Sequence, residues 1–126
     1  MKRLYAFDDF EAIIRIFTEA EGGRKTPPFN GIRWDLSYIP SDNVLHGIMP
    51  DFYSCSGDSL PTNVPLPIDV EIPARMTIRV DEMREKTHRA RIAPGVQFYC
   101  HEGAHRLAIG RVTRITGLHV ARPKAT

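Results

Sequence analysis

The densest run of reactive side-chain types is Cys100-His101-Glu102-Gly103-Ala104-His105. A thiol, two imidazoles and a carboxylate this close together are the materials of nucleophilic catalysis or of a zinc site. His101 and His105 stand four positions apart, the spacing that puts two ligands on one helix face. Gly103 lies between them, and the flanking residues alternate as strands do, so the segment reads instead as a hairpin tip with solvated histidines. A closed zinc site wants four ligands, and no second cluster supplies the rest. A catalytic cysteine needs a base held against its thiol, and spacing alone does not provide one at Cys100. Cys55 sits in a serine-rich loop as an incidental thiol. No C-x-x-C joins the two cysteines, so both are expected to be reduced. His46, His88 and His119 are isolated in the sequence.

Other catalytic signatures do not occur. There is no G-x-x-x-x-G-K-[ST] to cradle phosphate, no G-x-G-x-x-G, no G-x-S-x-G and no H-E-x-x-H. The expectation is a protein that is not an enzyme, with no cofactor, no bound metal and no nucleotide.

The elements that must carry these residues are short and extended. Residues 31–38 alternate cleanly, with Ile32, Trp34, Leu36 and Tyr38 on one side and Gly31, Arg33, Asp35 and Ser37 on the other. Trp34 and Tyr38 therefore read as barrel wall rather than as a stacking platform. Residues 75–80 alternate in the same way, and both stretches predict half-buried strands. Residues 10–19 alternate in part, which suits a strand buried on both faces for part of its length; residues 8–17 also fit a short amphipathic helix. Residues 95–101 and 106–116 are further strand candidates. Turns separate them: Glu21-Gly22-Gly23-Arg24, where both glycines can take positive φ, the polar stretch 53–59, Pro94-Gly95 and Glu102-Gly103-Ala104. Pro61, Pro65, Pro67 and Pro73 predict an edge or loop, because proline removes a ladder donor. Short strands with regular turn signals point to a closed barrel or sandwich.

The chain has 126 residues, 42% hydrophobic and 25% charged. This is the size of one domain and the composition of a soluble globular protein. No apolar run is long enough to span a bilayer, and acids at Asp8 and Asp9 interrupt any signal-peptide core, so a cytoplasmic protein is expected. One domain is expected over 1–126, with its core at about 9–119 and terminal extensions at 1–8 and 120–126. The net charge of +2 hides a split. Residues 1–70 hold six Lys/Arg and ten Asp/Glu, a balance of −4, while residues 71–126 hold eleven and five, a balance of +6. The basic half could meet an anionic partner, or it could be one side of a mixed-charge surface.

Two segments are more specific. The first runs Phe10-Glu11-Ala12, a strand to Glu19, then Glu21-Gly22-Gly23-Arg24-Lys25-Thr26-Pro27-Pro28-Phe29-Asn30-Gly31-Ile32-Arg33. The second runs Phe98-Tyr99-Cys100-His101-Glu102-Gly103-Ala104-His105-Arg106-Leu107-Ala108-Ile109-Gly110-Arg111-Val112 and closes with Gly117. Together they resemble the opening and closing of the C-terminal β-barrel, domain III, of elongation factor Tu. That family reads F-E-A, then E-G-G-R-H-T-P-F-F-x-G-Y-R-P-Q-F-Y, and ends R-E-G-G-R-T-V-G-x-G-V-V. The resemblance covers roughly residues 9–117 and is loose over about 40–93. It implies an all-β fold: a closed antiparallel Greek-key β-barrel of about six strands. Gly110 resembles a glycine that shifts which side chains face inward.

The resemblance also implies a binding role without GTP hydrolysis, since the family's nucleotide site lies in another domain. Domain III touches the T-stem of aminoacyl-tRNA, packs on the G domain and contacts the exchange factor. Carried onto matching positions, this marks Arg24, Glu102 and Gly103. Lys25 stands where the family has His, and Asp35 where it has Gln, which sets a negative charge against phosphate. Ala104 and His105 replace the second Gly and the Arg of the closing motif, with Arg106 next in line. Arg106, Arg111 and Arg114 lie on one segment, where Arg106 and Arg114 share a face if the register is unbroken and Arg111 opposes them. A second basic run spans Arg84, Lys86, His88, Arg89 and Arg91. The expected activity is that of a non-enzymatic interaction module: it binds a translation-related protein, such as a translation-factor G domain or a ligand of elongation factor Tu, or mimics the domain. The alternative is a tRNA or other RNA binder using Arg24, Glu102-Gly103 and the Arg106–Arg114 surface. No membrane partner is expected.

Overall fold

Six antiparallel strands close into a barrel in the computed structural model, which describes residues 2–122. The strands are β1 (Phe10–Ile16), β2 (Trp34–Ile39), β3 (His46–Phe52), β4 (Glu71–Ile78), β5 (Gln97–Glu102) and β6 (His105–Ile115). Their order around the barrel is β1-β4-β3-β2-β5-β6, with β6 closing on β1. Strands β2, β3 and β4 lie side by side and β1 returns next to β4, which is a Greek key. The expected all-β closed barrel of about six strands is therefore the observed fold. Among the described residues, no helix is long and apolar enough to cross a membrane.

Alternation explains the core. Phe10, Ala12, Ile14 and Ile16 of β1 point inward and are buried, while Glu11, Ile13 and Arg15 face outward. Trp34, Leu36 and Tyr38 do the same on β2, and Phe98 and Cys100 on β5. The largest inward rings meet edge to face, with Phe10 and Phe98 at 6.2 Å and Trp34 and Phe52 at 6.1 Å. That arrangement suits the aromatic quadrupole.

Several boundaries depart from expectation. Strand β1 ends at Ile16, and a short 3-10 turn (Glu19–Glu21) follows, capped by reciprocal bonds between Thr18 and Glu21. Residues 31–33 lie before the strand, with Gly31 in a turn, and β4 begins at Glu71 with Pro73 inside it. The Pro73 carbonyl accepts from Tyr53 N–H at 3.1 Å, so its missing donor faces the end of β3 rather than a ladder. Strand β3 was not marked by alternation, and it holds Pro50. Pro50 lies two residues past Ile48, the last β3 residue paired with β2. Its partner Met76 turns its carbonyl toward Asp9 N–H (2.8 Å), so no strand stands opposite the donor that Pro50 lacks.

Only one of the two motif glycines has positive φ. Gly22 ends the 3-10 turn in the left-handed region at φ 99°. Gly23 is needed for a different reason: a Cβ there would lie 2.4 Å from the Phe17 carbonyl oxygen. Gly110 does not itself shift which side chains face inward. The bulges of β6 fall on either side of it, where Leu107 is extra opposite β5 and Thr113 is extra opposite β1. Gly110 faces inward instead, and a Cβ would lie 2.5 Å from Phe98 Cζ and 3.1 Å from Ile14 Cγ1. Gly110→Ala is expected to cost about 1–3 kcal/mol through overpacking, with partial recovery when Phe98→Leu is added. Urea unfolding of the two variants checks this, and a single-variant loss below about 0.5 kcal/mol counts against it.

The described residues before β1 bond to the barrel. Leu4 N–H donates to Asp51 (3.1 Å), and Thr77 Oγ1 donates to the Phe7 carbonyl (2.8 Å). Of the expected extension at 120–126, Pro123 to Thr126 lie outside the described residues.

Candidate binding surface

The two sequence motifs, some 80 residues apart, meet at one corner. Arg24 Nη1 lies 3.5 Å from Glu102 Oε2, and His105 Nε2 bonds the Gly22 carbonyl. The left-handed turn at Gly22 exposes that carbonyl, and the β5–β6 hairpin delivers Glu102, Gly103 and His105 to it. Lys25 is exposed beside them.

Bulges decide where the arginines of β6 point. Leu107 and Ala108 are both buried, because a bulge lets two successive residues face the same side. Thr113 and Arg114 are both exposed for the same reason. Arg106, Arg111 and Arg114 therefore all face outward, whereas an unbroken register sets Arg111 against the other two. The stripe is not uniformly cationic, however. Arg111 pairs with Glu71 at 3.2 Å, and Arg114 pairs with Glu11. Arg106 stacks over the Tyr99 ring at 4.2 Å. Asp35, His101 and Arg106 occupy one cross-strand row. His101 Nε2 and Ser37 Oγ lie 2.6 Å apart beneath this row, and burial pulls the His101 pKa down, with the Arg106 charge acting the same way.

The second basic run does not form a patch. Residues 81–91 coil into a helical stretch whose centre, Arg84–His88, is π-helical. Arg84 is turned inward, with its side chain only 3% exposed, and donates to Asp9 at 2.7 Å. It also donates to the carbonyls of Gly117 and Val120, both at 2.9 Å. Arg122 completes this network on Asp9 at 2.7 Å. Lys86 pairs with Glu82, and Arg91 with Asp42 at 2.5 Å. Arg89 Nε donates to the Leu118 carbonyl at 2.7 Å.

His88 and His46, isolated in sequence, are neighbours in space. Their ring centroids are 4.5 Å apart, and His88 Nδ1 lies 2.5 Å from Tyr38 Oη. Burial pushes the His88 pKa down to about 4, with His46 and Arg91 adding to it, and pulls His46 down as well. Cys100 is fully buried in the barrel wall, and burial raises its thiol pKa. Cys55 is exposed. The nucleophile that the sequence cluster offered is thus inside the barrel, while its neighbours His101 and His105 bond to Ser37 and Gly22.

Of the expected site residues, Arg24, Lys25, Glu102, Gly103 and Arg106 gather near the hairpin corner. Arg111 and Arg114 lie farther along β6. The buried Asp9–Arg84–Arg122 network and the His46–His88 pair were not foreseen, because both join residues of no local pattern. No protein-family model matches the chain.

Proposed function

We propose that this barrel is a non-enzymatic interaction module that binds a protein, and that it does so as a counterpart of the third domain of elongation factor Tu. The resemblance in sequence supports the translation-related part of this reading. The observation that carries the choice of a protein over RNA is the pairing of the outward arginines. Arg24, Arg111 and Arg114 each face a carboxylate, on Glu102, Glu71 and Glu11. Phosphate binding draws its energy from cations that shed counterions, and arginines already neutralised by carboxylates contribute little of it. A surface of alternating charge suits a protein partner with complementary signs.

The test is direct binding to an elongation factor Tu fragment that holds the G domain and second domain but lacks its own third barrel. A one-to-one complex is expected by size exclusion and calorimetry. Arg24→Glu sets two acids side by side at the corner and is expected to weaken the complex about tenfold. The same protein should give no shift of aminoacyl-tRNA at low salt. Absence of the complex, together with tRNA binding that falls steeply with salt, sinks the reading in favour of the RNA alternative.

A further inference from the structure

A recess of about 250 Å³ lies on the outer face of the barrel, between the β2–β3 loop and the β5–β6 hairpin. Ser37 and His101 line it from the strands, bonded to each other at 2.6 Å and almost wholly buried. The loop contributes Ser41, Asn43 and Leu45, and the hairpin contributes Ala104 and Arg106. These five are exposed, so they are the groups that a ligand entering from solvent meets.

Arg106 differs from its neighbours on β6. Arg111 pairs with Glu71 and Arg114 with Glu11, whereas Arg106 has no carboxylate partner and no hydrogen bond among the described residues. Its guanidinium carbon sits 4.2 Å from the centre of the Tyr99 ring, a contact that leaves the N–H donors unused. Ser41 Oγ accepts from Asn43 N–H at 3.0 Å and keeps its own proton free to donate. Asp42 pins the loop, accepting from Val44 N–H at 3.1 Å and pairing with Arg91.

We propose that the recess is a binding site for a monocarboxylate, with the carboxylate on Arg106 and an apolar stem against Leu45. The planar guanidinium fork matches a carboxylate in two parallel bonds. One cation suits one negative charge. His101 adds no second cation near pH 7, because burial pulls its pKa down and the Arg106 charge acts the same way. Asp35 shares a cross-strand row with His101 and Arg106, which sets a negative charge against a doubly charged phosphate. Size leaves room for the stem, because an engineered cavity of about 150 Å³ in another protein holds benzene. Leu45, 43% exposed, gives that stem an apolar wall. The carboxylate has two sources, a free organic acid or an acidic side chain on another protein. The inference stands whether or not the barrel's partner belongs to translation.

Full-length protein is titrated with isovalerate and with isovaleramide, which share a branched stem and differ in charge. The Leu45 and Ala104 methyl resonances and the Asn43 side-chain amide report on the recess. Saturable shifts at all three are expected, with the acid bound about tenfold more tightly than the amide, the lower end of what a hydrogen bond to a charged group contributes. Arg106→Gln, checked for folding by circular dichroism, is expected to bring that ratio close to one. Lys86→Gln removes the same charge from the helical stretch and is expected to leave the ratio unchanged. Equal affinity for acid and amide, no saturable shift, tighter binding of inorganic phosphate than of isovalerate, or an equal loss in both variants overturns the proposal. A short capped peptide with one glutamate, compared with its glutamine twin, separates the sources. Preference for the glutamate peptide assigns the carboxylate to a protein, and isovalerate binding without peptide binding assigns it to a free organic acid.

Discussion

Replacing Arg84 with methionine is expected to cost the barrel about 3–5 kcal/mol, the usual result of removing one partner from a buried ion pair. Asp9 is wholly buried, and Arg84 Nε lies 2.7 Å from its carboxylate. Methionine fills part of the space without a charge, so the loss reports a buried carboxylate left to Arg122 and two carbonyls left without a donor. The Ile78 N–H and Arg122 still reach Asp9 at 2.7 Å, which favours the lower end of that range. Arg84 also closes the chain on itself, because it donates to the carbonyls of Gly117 and Val120. A typical domain has about 5–15 kcal/mol of stability, so the change consumes a large share of it. Adding Asp9→Asn to Arg84→Met should return part of the loss, since the buried charge disappears and Arg122 keeps Asp81 as its partner. Urea unfolding of the single and double variants measures the coupling. A single-variant loss below about 1 kcal/mol is incompatible with this account.

Acidification is the second large effect. The His88 pKa is depressed by burial from 6.5 to about 4 in the folded barrel. Below pH 6.5 the unfolded chain takes up a proton that the folded chain refuses, so the unfolded state binds more protons in this window. Stability therefore rises with pH between the two values, is complete above the unfolded value, and is lost as pH falls from about 6.5 toward 4. At about 1.4 kcal/mol per unit, the whole window is worth about 3 kcal/mol. His46 shifts in the same direction and adds to the slope. The decisive interval is the upper one, from pH 6.5 to 5, where ordinary carboxylates are still ionised. His88→Leu should flatten the unfolding free energy across that interval. An unchanged slope in the variant would assign the acid sensitivity elsewhere.

The barrel was legible where one face of a strand is buried and the other is not. Residues 31–38 and 75–80 advertised themselves because Trp34, Leu36 and Tyr38, and likewise Met76 and Ile78, alternate with polar residues. Strand β3 did not, because Pro50 looks like a strand breaker until its position past the end of the β2 pairing is known. The corner of Arg24 and Glu102 was legible through motif resemblance, not through spacing. The direction of the β6 arginines was not, because a bulge is an extra residue in the pairing and leaves no composition signal. The helical stretch misled most. Arg84, His88 and Arg91 read as part of a second basic run, but Asp9, Tyr38 and Asp42 lie far off in sequence and claim them. Long-range pairing of this kind is a property of topology, and local pattern does not carry it.

The placement of the two thiols equips the molecule with its own stopwatch. Cys55 is exposed on a loop, and Cys100 is sealed inside the wall with its thiolate disfavoured. A maleimide dye added to the native protein should therefore tag one position only, with no cysteine removed beforehand. The second tag can attach only when β5 parts from its neighbours. The rate of double labelling then counts barrel openings, and the same chain serves as both probe and sample.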